Sequence, residues 1–255
     1  MNASDTSHIP TTLRLLLVIE ELAKAGRPLT PTEVNTELNL PKPTIHRLFA
    51  TLEEEGFLQR DLGGRTFAPA TRLRRIAGGI LSSEDMRLAQ RTILLGLSRE
   101  IGETCNIAVP DGDAMRYVDR VETEWPLRIQ LPVGTRVPLY ATASGKMYLS
   151  SIRKAQAERF FNAVALEAHT PRTVTDASEL LAELKLIRRQ GYALDTEEFM
   201  EDMIALAVPV LGAGERLLAT LSLHAPSQRF GIDQAIGALP RIKKAAADLS
   251  GLING

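Results

Sequence analysis

The chain has 255 residues, 44 % of them hydrophobic, with a single cysteine and a formal net charge of −1. That length and composition suit two modest domains with real cores and exclude a disordered chain. Lone Cys105 excludes an internal disulfide framework and a multi-cysteine zinc site, and no apolar run approaches a membrane span.

Met1–Pro10 is polar and lacks the apolar heart of a secretory signal, so the expected setting is a reducing cytoplasm, away from any membrane. Residues 11–25 place Leu13, Leu16, Leu17, Ile19, Leu22 and Ala23 at helical spacing, and Gly26 stops the helix. Thr30-Pro-Thr-Glu33 then reads as a capping box with proline in the first turn, which opens a short helix over 31–38. Asn39 breaks it. A third helix starts near Pro41–Pro43, where missing amide protons do no harm, and runs to about Glu55. Its stripe of Ile45, Leu48, Phe49 and Leu52 is the core-facing side.

Two helices joined by a tight turn, the second with cations at its start, form a helix–turn–helix. That geometry presents the N-terminal residues of the second helix to base edges. Arg47 is the candidate guanine reader, because its planar fork matches O6 and N7. Lys42, Thr44 and His46 are candidate phosphate or mixed contacts, and Thr51 lies on the same outward side. Phe57-Leu-Gln-Arg60 and Arg65-Thr-Phe-Ala68 flank Asp61-Leu-Gly-Gly64, a hairpin signature, so Arg60 and Arg65 would border a wing against phosphate or the minor groove. Overall charge does not announce this: residues 1–75 hold 10 Lys/Arg against 9 Asp/Glu. Local placement does, since Lys42, His46, Arg47, Arg60, Arg65, Arg72, Arg74 and Arg75 gather in the second half of the segment. A solvated charged face, or a three-helix protein-binding module with a hairpin, would carry the same residues less specifically.

Thr71–Ser83 reads as a linker helix weakened by Gly78-Gly79. Ser82 or Ser83 caps a longer helix over 84–101, with Met86, Leu88, Ala89, Ile93, Leu97 and Ile101 as its apolar positions. The expected division is therefore 1–70, a DNA-binding domain; 71–83, a linker; and 84–255, a second domain. There strands are expected at Thr104–Val109, Met115–Val121 and Leu127–Leu131. Helices are expected at 141–151, 154–163 and 176–190, then a hairpin of Ile204–Val210 with Leu217–Leu223, then a closing helix over Ile232–Leu249. Antiparallel hairpins with flanking helices make an α+β domain.

Pro138–Lys146 is a small-residue stretch opening a helix, where amides attract anions and Ala143, Ser144 and Gly145 would let a ligand near the backbone. A well-packed helix start explains it too, and the Gly-Lys pair lacks the upstream glycine of a phosphate loop. Ser222 and His224 share a face if their segment is a strand, and with Asp195 they suggest a hydrolase triad. A small-molecule hydrolase with an appended helical module is thus the alternative reading. It lacks the strand–turn–helix that exposes a nucleophilic serine, so a polar lining for a bound ligand accounts better for these residues and no catalytic residue is assigned. His8, His46, His169 and His224 show no metal-ligand spacing, and neither metal nor cofactor is expected.

Over residues 10 to 250 the chain resembles the IclR family of bacterial transcription regulators. The likeness is carried by Gly26-Arg-Pro-Leu-Thr30, Leu40-Pro-Lys42, Thr44-Ile-His-Arg-Leu48, Leu52-Glu-Glu-Glu-Gly-Phe-Leu58, Gly102-Glu-Thr104 and Asp119-Arg-Val121. Pro138-Leu-Tyr-Ala-Thr142, Gly145-Lys146, Thr170-Pro-Arg-Thr173, Gly191-Tyr-Ala-Leu-Asp195, Glu197-Glu-Phe199 and Ala207-Val-Pro-Val210 continue it. The resemblance implies a winged helix–turn–helix, a linker helix and a GAF-like or profilin-like effector domain that also oligomerises. It implies dimers, or dimers of dimers, on double-stranded operator half-sites, acting as repressors or activators of catabolic operons for small organic acids and aromatics. By that likeness Ile129, Val137, Ala143, Ser144, Gly145, Asp195, Ala205, Ser222 and His224 would line the effector pocket, for an organic acid or carbonyl compound. Three positions depart from the family pattern. Pro43 stands where serine is usual, Ala205 replaces a common cysteine, and His224 replaces a common serine.

Overall fold

The computed structural model describes residues 10–61, 64–81 and 84–254. Met1–Ile9, Leu62 and Gly63 of the expected wing turn, the expected caps Ser82 and Ser83, and Gly255 lie outside them. The chain divides into two units between Glu84 and Asp85.

The first unit contains α1 (Thr11–Ala25), α2 (Pro31–Leu38), α3 (Lys42–Glu54), β1 (Leu58–Arg60), β2 (Phe67–Pro69) and α4 (Thr71–Leu81). Local chemistry sets the boundaries. Gly26 takes φ 62° and closes α1 with its amide on the Leu22 carbonyl,. At α2, Glu33 N donates to Thr30 Oγ1 at 3.2 Å while Thr30 N donates to Glu33 Oε2 at 2.8 Å,. Asn39 turns the chain at φ 46°, and the Asn35 amide clamps both backbone groups of Leu40 at 2.8 and 2.9 Å. Val18, Leu22, Val34, Ile45, Leu48, Phe49, Leu52, Leu58 and Phe67 form one core. Phe49 meets Phe67 edge-on at 4.9 Å, which fastens the hairpin to α3.

The second unit takes in α5 (Glu84–Ile101) from its second residue on and, among the described residues, holds one antiparallel sheet of six strands. They are β3 (Thr104–Asp111), β4 (Ala114–Val121), β5 (Arg136–Pro138), β6 (Ala193–Thr196), β7 (Met203–Leu211) and β8 (Leu217–Pro226), in the order β5-β4-β3-β8-β7-β6. Strand alternation divides the side chains between two helical layers. Cys105, Ile107, Leu206, Val208, Leu221 and Leu223 share a core with α5 and with α9 (Ile232–Gly237) and α10 (Leu239–Asn254). Met115, Tyr117, Ala205 and Ala207 share another with α6 (Ala143–Ser151), α7 (Lys154–Ala163) and α8 (Ala177–Gln190).

Several expectations are corrected. Leu127–Leu131 is no strand. Pro126 and Pro132 flank it, and arginines instead take its carbonyls: Arg120 that of Ile129, Arg229 that of Leu127,. The sheet edge beside β4 belongs to β5, which the sequence reading missed along with β6. The closing helix is two helices, divided at Ala238. Pro240 lies just beyond and cannot donate to a continuous ladder. Leu88 is 69 % exposed; the expected Leu97 is buried, and Leu94 joins it on the buried side of α5. The wing's second strand starts at Phe67, because Asp61 Oδ1 accepts the amides of Arg65 and Thr66 and keeps both in the turn.

Candidate DNA-contacting helix and effector-facing sheet

In α3 the four apolar residues Ile45, Leu48, Phe49 and Leu52 are buried, which turns the remaining sides outward. Lys42, His46, Arg47 and Thr51 are exposed and Thr44 is half-buried. No side-chain hydrogen bond or ion pair to the described residues engages Lys42, His46 or Arg47. Pro41 and Pro43 cost the helix nothing, since first-turn amides have no intrahelical acceptor. The first three turns of α3 therefore present two free cations and an imidazole beside threonine hydroxyls.

The wing cations differ among themselves. Arg65 is exposed with an unengaged guanidinium among the described residues. Arg60 is engaged: its Nε lies 2.8 Å from Glu53 Oε1, its Nη1 donates to the Gly64 carbonyl at 3.1 Å, and its guanidinium covers the Phe67 ring. The Glu53 bond holds the Arg60 pKa above its ordinary value. Arg72 caps the end of α3 through the Glu55 carbonyl at 2.8 Å, and Arg74 bonds the Pro69 carbonyl at 2.9 Å. Three of the clustered cations thus hold the fold.

In the second unit, cross-strand register brings distant residues onto the sheet face under α6. One row runs Asp195–Ala205–His224–Thr104. The next runs Ala193–Ala207–Ser222–Asn106–Arg120. Thr220 and Tyr117 follow beside Ala108. All these polar side chains are buried. Asn106 Nδ2, Ser144 Oγ, Asp195 Oδ2, Glu198 Oε2, Thr220 Oγ1 and His224 Nδ1 have no hydrogen-bond partner among the described residues. Such atoms are rare in a finished core.

Burial, with Arg120 adding to it, pulls the His224 imidazole down to about 3, so it is neutral. Burial pushes the Asp195 carboxyl up to about 7, against the lowering effect of the Glu198 amide, whose N–H lies 2.8 Å from Oδ1. His224 Nε2 is 3.5 Å from both Ser222 Oγ and Tyr117 Oη. His224 Nδ1 meets no carboxylate, so the base-orienting bond of a triad is not made,. Beside Asp195, Lys146 Nζ is buried between Glu198 at 2.6 Å and Glu183 at 2.7 Å.

Val137 lies in the core of the same face and Ala143 and Ser144 are buried at the start of α6. Ile129 is half-buried. Gly145 has a different reason to be small. A Cβ there would lie 2.3 Å from the Leu139 carbonyl oxygen, so the chain itself, not a ligand, makes the close approach. Thr142 caps this helix by accepting the Gly145 amide at 3.1 Å,. Sequence reading overlooked Asn106, Tyr117, Arg120, Lys146 and Thr220. The available signal was polar residues alternating with apolar ones along a strand whose two faces are both covered.

A separate open groove of about 500 Å³ lies between the end of α5 and the segment after β4, lined by Leu95, Arg99, Val121 and Trp125 among others. It contains none of the expected effector residues, and of the two places the sheet face has the buried unpaired polar atoms. Among the described residues no group of three or more His, Cys, Asp or Glu could hold a metal ion, and no helix is long and apolar enough to cross a membrane.

Two family profiles match the chain: the IclR helix-turn-helix domain over residues 11–62, and the bacterial transcriptional regulator IclR C-terminal over residues 78–251. The probable transcriptional regulator SauR of Cupriavidus necator is 37 % identical over 237 residues, covering 93 % of this chain and 94 % of that protein. The inducer-binding domain of a PobR double mutant from Acinetobacter, solved as its 3-hydroxybenzoic acid complex, is 30 % identical with a TM-score of 0.61. That match covers 66 % of this chain and 98 % of the other. The IclR of Thermotoga maritima shares the fold at a TM-score of 0.64 and 24 % identity, over 96 % of this chain and 99 % of that one.

Proposed function

Because the chain belongs to the IclR family of bacterial transcriptional regulators, with a helix–turn–helix and a C-terminal effector-binding domain, we propose that the start of α3 reads an operator in the major groove. Arg47 contacts a guanine edge, Lys42, Thr44 and His46 contact phosphate or mixed positions, and Thr51 flanks them. Arg65, with Arg60 behind it, meets the backbone from the wing. The observation that carries this reading is the pair of exposed, unengaged cations Lys42, at the first position of α3, and Arg47, on the side opposite its buried stripe. Affinity comes chiefly from phosphate neutralisation and falls with salt; sequence choice comes from the few side chains at the groove.

The effector is a small organic acid or carbonyl compound held on the sheet face by Ser144, Asp195, Ser222 and His224, with Ile129, Val137, Ala143 and Ala205 as neighbours. The acid complex of the PobR domain supports that class. The working partition is residues 1–70 for DNA, 71–83 as linker and 84–255 for effector and self-association. The regulator acts in the cytoplasm on a catabolic operon, as a dimer or dimer of dimers, by binding rather than turnover. To shift operator occupancy, the effector must bind one arrangement of the paired DNA-binding domains better than another.

Footprinting of chromosomal sites, followed by titration of the recovered sequence with wild type and Arg47→Ala, tests the DNA half. Binding to no recovered site at low salt would defeat it. For the effector half, calorimetric titration of Ser222→Ala against a confirmed effector must show weakened affinity; unchanged affinity removes Ser222 from the pocket.

A further inference from the structure

We infer that Arg120 is the anchor of the effector and that the effector is therefore an anion, a carboxylate or sulfonate whose acid group takes the remaining N–H donors of Arg120 beside Asn106 Nδ2. The inference rests on the proposed effector face and narrows what that face accepts.

Register places Arg120 there: it stands opposite Asn106, which stands opposite Ser222. Its side chain is only 3 % exposed. A guanidinium has five N–H donors. Nη1 donates to Asn106 Oδ1 at 2.6 Å, Nη2 to the Ile129 carbonyl, and Nε to Glu122 Oε1 at 3.3 Å. Two donors remain. Its one carboxylate partner is poorly placed to neutralise it: Glu122 is 36 % exposed at the rim and lies closer to Arg128, at 2.6 Å. A buried cation whose counter-charge is half-exposed and shared with a second arginine is costly, and a guest carrying its own negative charge relieves that cost,.

The neighbours agree. Asn106 Nδ2, Ser144 Oγ and Thr220 Oγ1 are buried hydrogen-bond donors without a partner among the described residues. Neutral His224 supplies one N–H more. An anion accepts hydrogen bonds and donates none, so a donor-rich lining around a guanidinium fits it. Asp195 is the one carboxyl in these rows, and its raised pKa, about 7, limits its repulsion near neutrality. Arg120 also holds the Ile129 carbonyl, so the acid group would dock on the same guanidinium that fixes the segment between β4 and β5.

The test is thermal shift and calorimetry on the full chain, with acetate, pyruvate, 3-hydroxybenzoate and methanesulfonate, each beside its neutral amide. The expected result is saturable stabilisation of wild type by at least one acid, none by its amide, and a loss of affinity of about thirtyfold or more in Arg120→Gln. Arg120→Lys, which keeps the charge but loses the fork, gives a partial loss and carries the test if Arg120→Gln does not fold. An amide that binds as well as its acid overturns the inference, as does an acid bound equally by wild type and the Arg120 variants. No stabilisation by any of the acids overturns it too. A ligand weakened by Ser222→Ala but indifferent to Arg120 leaves the effector face standing without its anchor; a ligand indifferent to both removes the face itself.

Discussion

Arg60 reaches from β1 to the last turn of α3, where its Nε and Nη2 lie 2.8 and 3.0 Å from the two carboxylate oxygens of Glu53. The wing is thereby tied to the helix it accompanies, with the guanidinium 4.7 Å above the Phe67 ring. A cation so engaged gives less to DNA than a free one. Each phosphate neutralised by a free Lys or Arg contributes about one unit to the slope of log affinity against log salt. Lys42→Ala and Arg65→Ala are each expected to reduce that slope by about one. Arg60→Ala is expected to reduce it by clearly less. Fluorescence anisotropy across a salt series checks this; a full unit lost in Arg60→Ala would mean that phosphate displaces Glu53 on binding.

Arg47 stands one turn into α3, exposed, with no partner among the described residues to satisfy its fork. Arg47→Ala is expected to cost roughly 1–3 kcal/mol on the cognate operator and to flatten preference at one base pair, with little change on random duplex. Competition binding against single-base operator variants measures both. Equal loss on every sequence would reduce Arg47 to a phosphate contact.

The first unit was legible because its instructions are local. Gly26, the Thr30–Glu33 box and Asn39 act within four residues of themselves, and the stripe of α3 has an unmistakable period. The second unit was legible only where the same held, as at Asp176 and Gly191, which bound α8. Residues 127–131 alternate like a strand, but two of their carbonyls are taken by arginines, one of them, Arg229, about a hundred residues away. Arg120 was passed over because nothing near it in sequence reports that Asn106 and Ser222 stand alongside. Asp195, Ser222 and His224 were singled out by resemblance and by strand spacing. The register that puts Asp195 in one row with His224 is a long-range property that periodicity does not encode.

Lys146 makes a second demand on the same region. Its ammonium is 1 % exposed and is held by Glu198 and Glu183. Burial alone would lower its pKa, but the two carboxylates outweigh that and raise it, so the charge persists. Removing one partner of a buried pair strands the other. Lys146→Ala is expected to destabilise the second unit by about 3–5 kcal/mol. Glu183→Ala should cost much less, since Glu183 is partly exposed and Glu198 remains. Lys146→Met combined with Glu198→Gln should recover part of the loss. Urea unfolding of the full chain, following the transition assigned to the second unit, ranks the three. Equal effects for Lys146→Ala and Glu183→Ala would show that the ammonium is solvated after all.

Asp195 and His224 give this face opposing pH dependences. The Asp195 carboxyl titrates at about 7 in the folded chain against an ordinary 3.8. Between those values the folded state binds more protons than the unfolded one, so its contribution is full below pH 3.8 and is lost as pH rises to about 7. His224 titrates at about 3 against an ordinary 6.5. There the unfolded state binds more protons, so its contribution is full above pH 6.5 and is lost as pH falls towards 3. Over most of that range the two slopes offset each other in wild type, and single substitutions expose them. Stability of wild type relative to Asp195→Asn should fall from pH 4 to pH 7. Stability of wild type relative to His224→Gln should rise from pH 3 to pH 6.5. Chemical denaturation at four or five pH values measures both differences. Parallel curves for wild type and Asp195→Asn would place the Asp195 carboxyl in contact with water and deprive the effector face of its neutral acid.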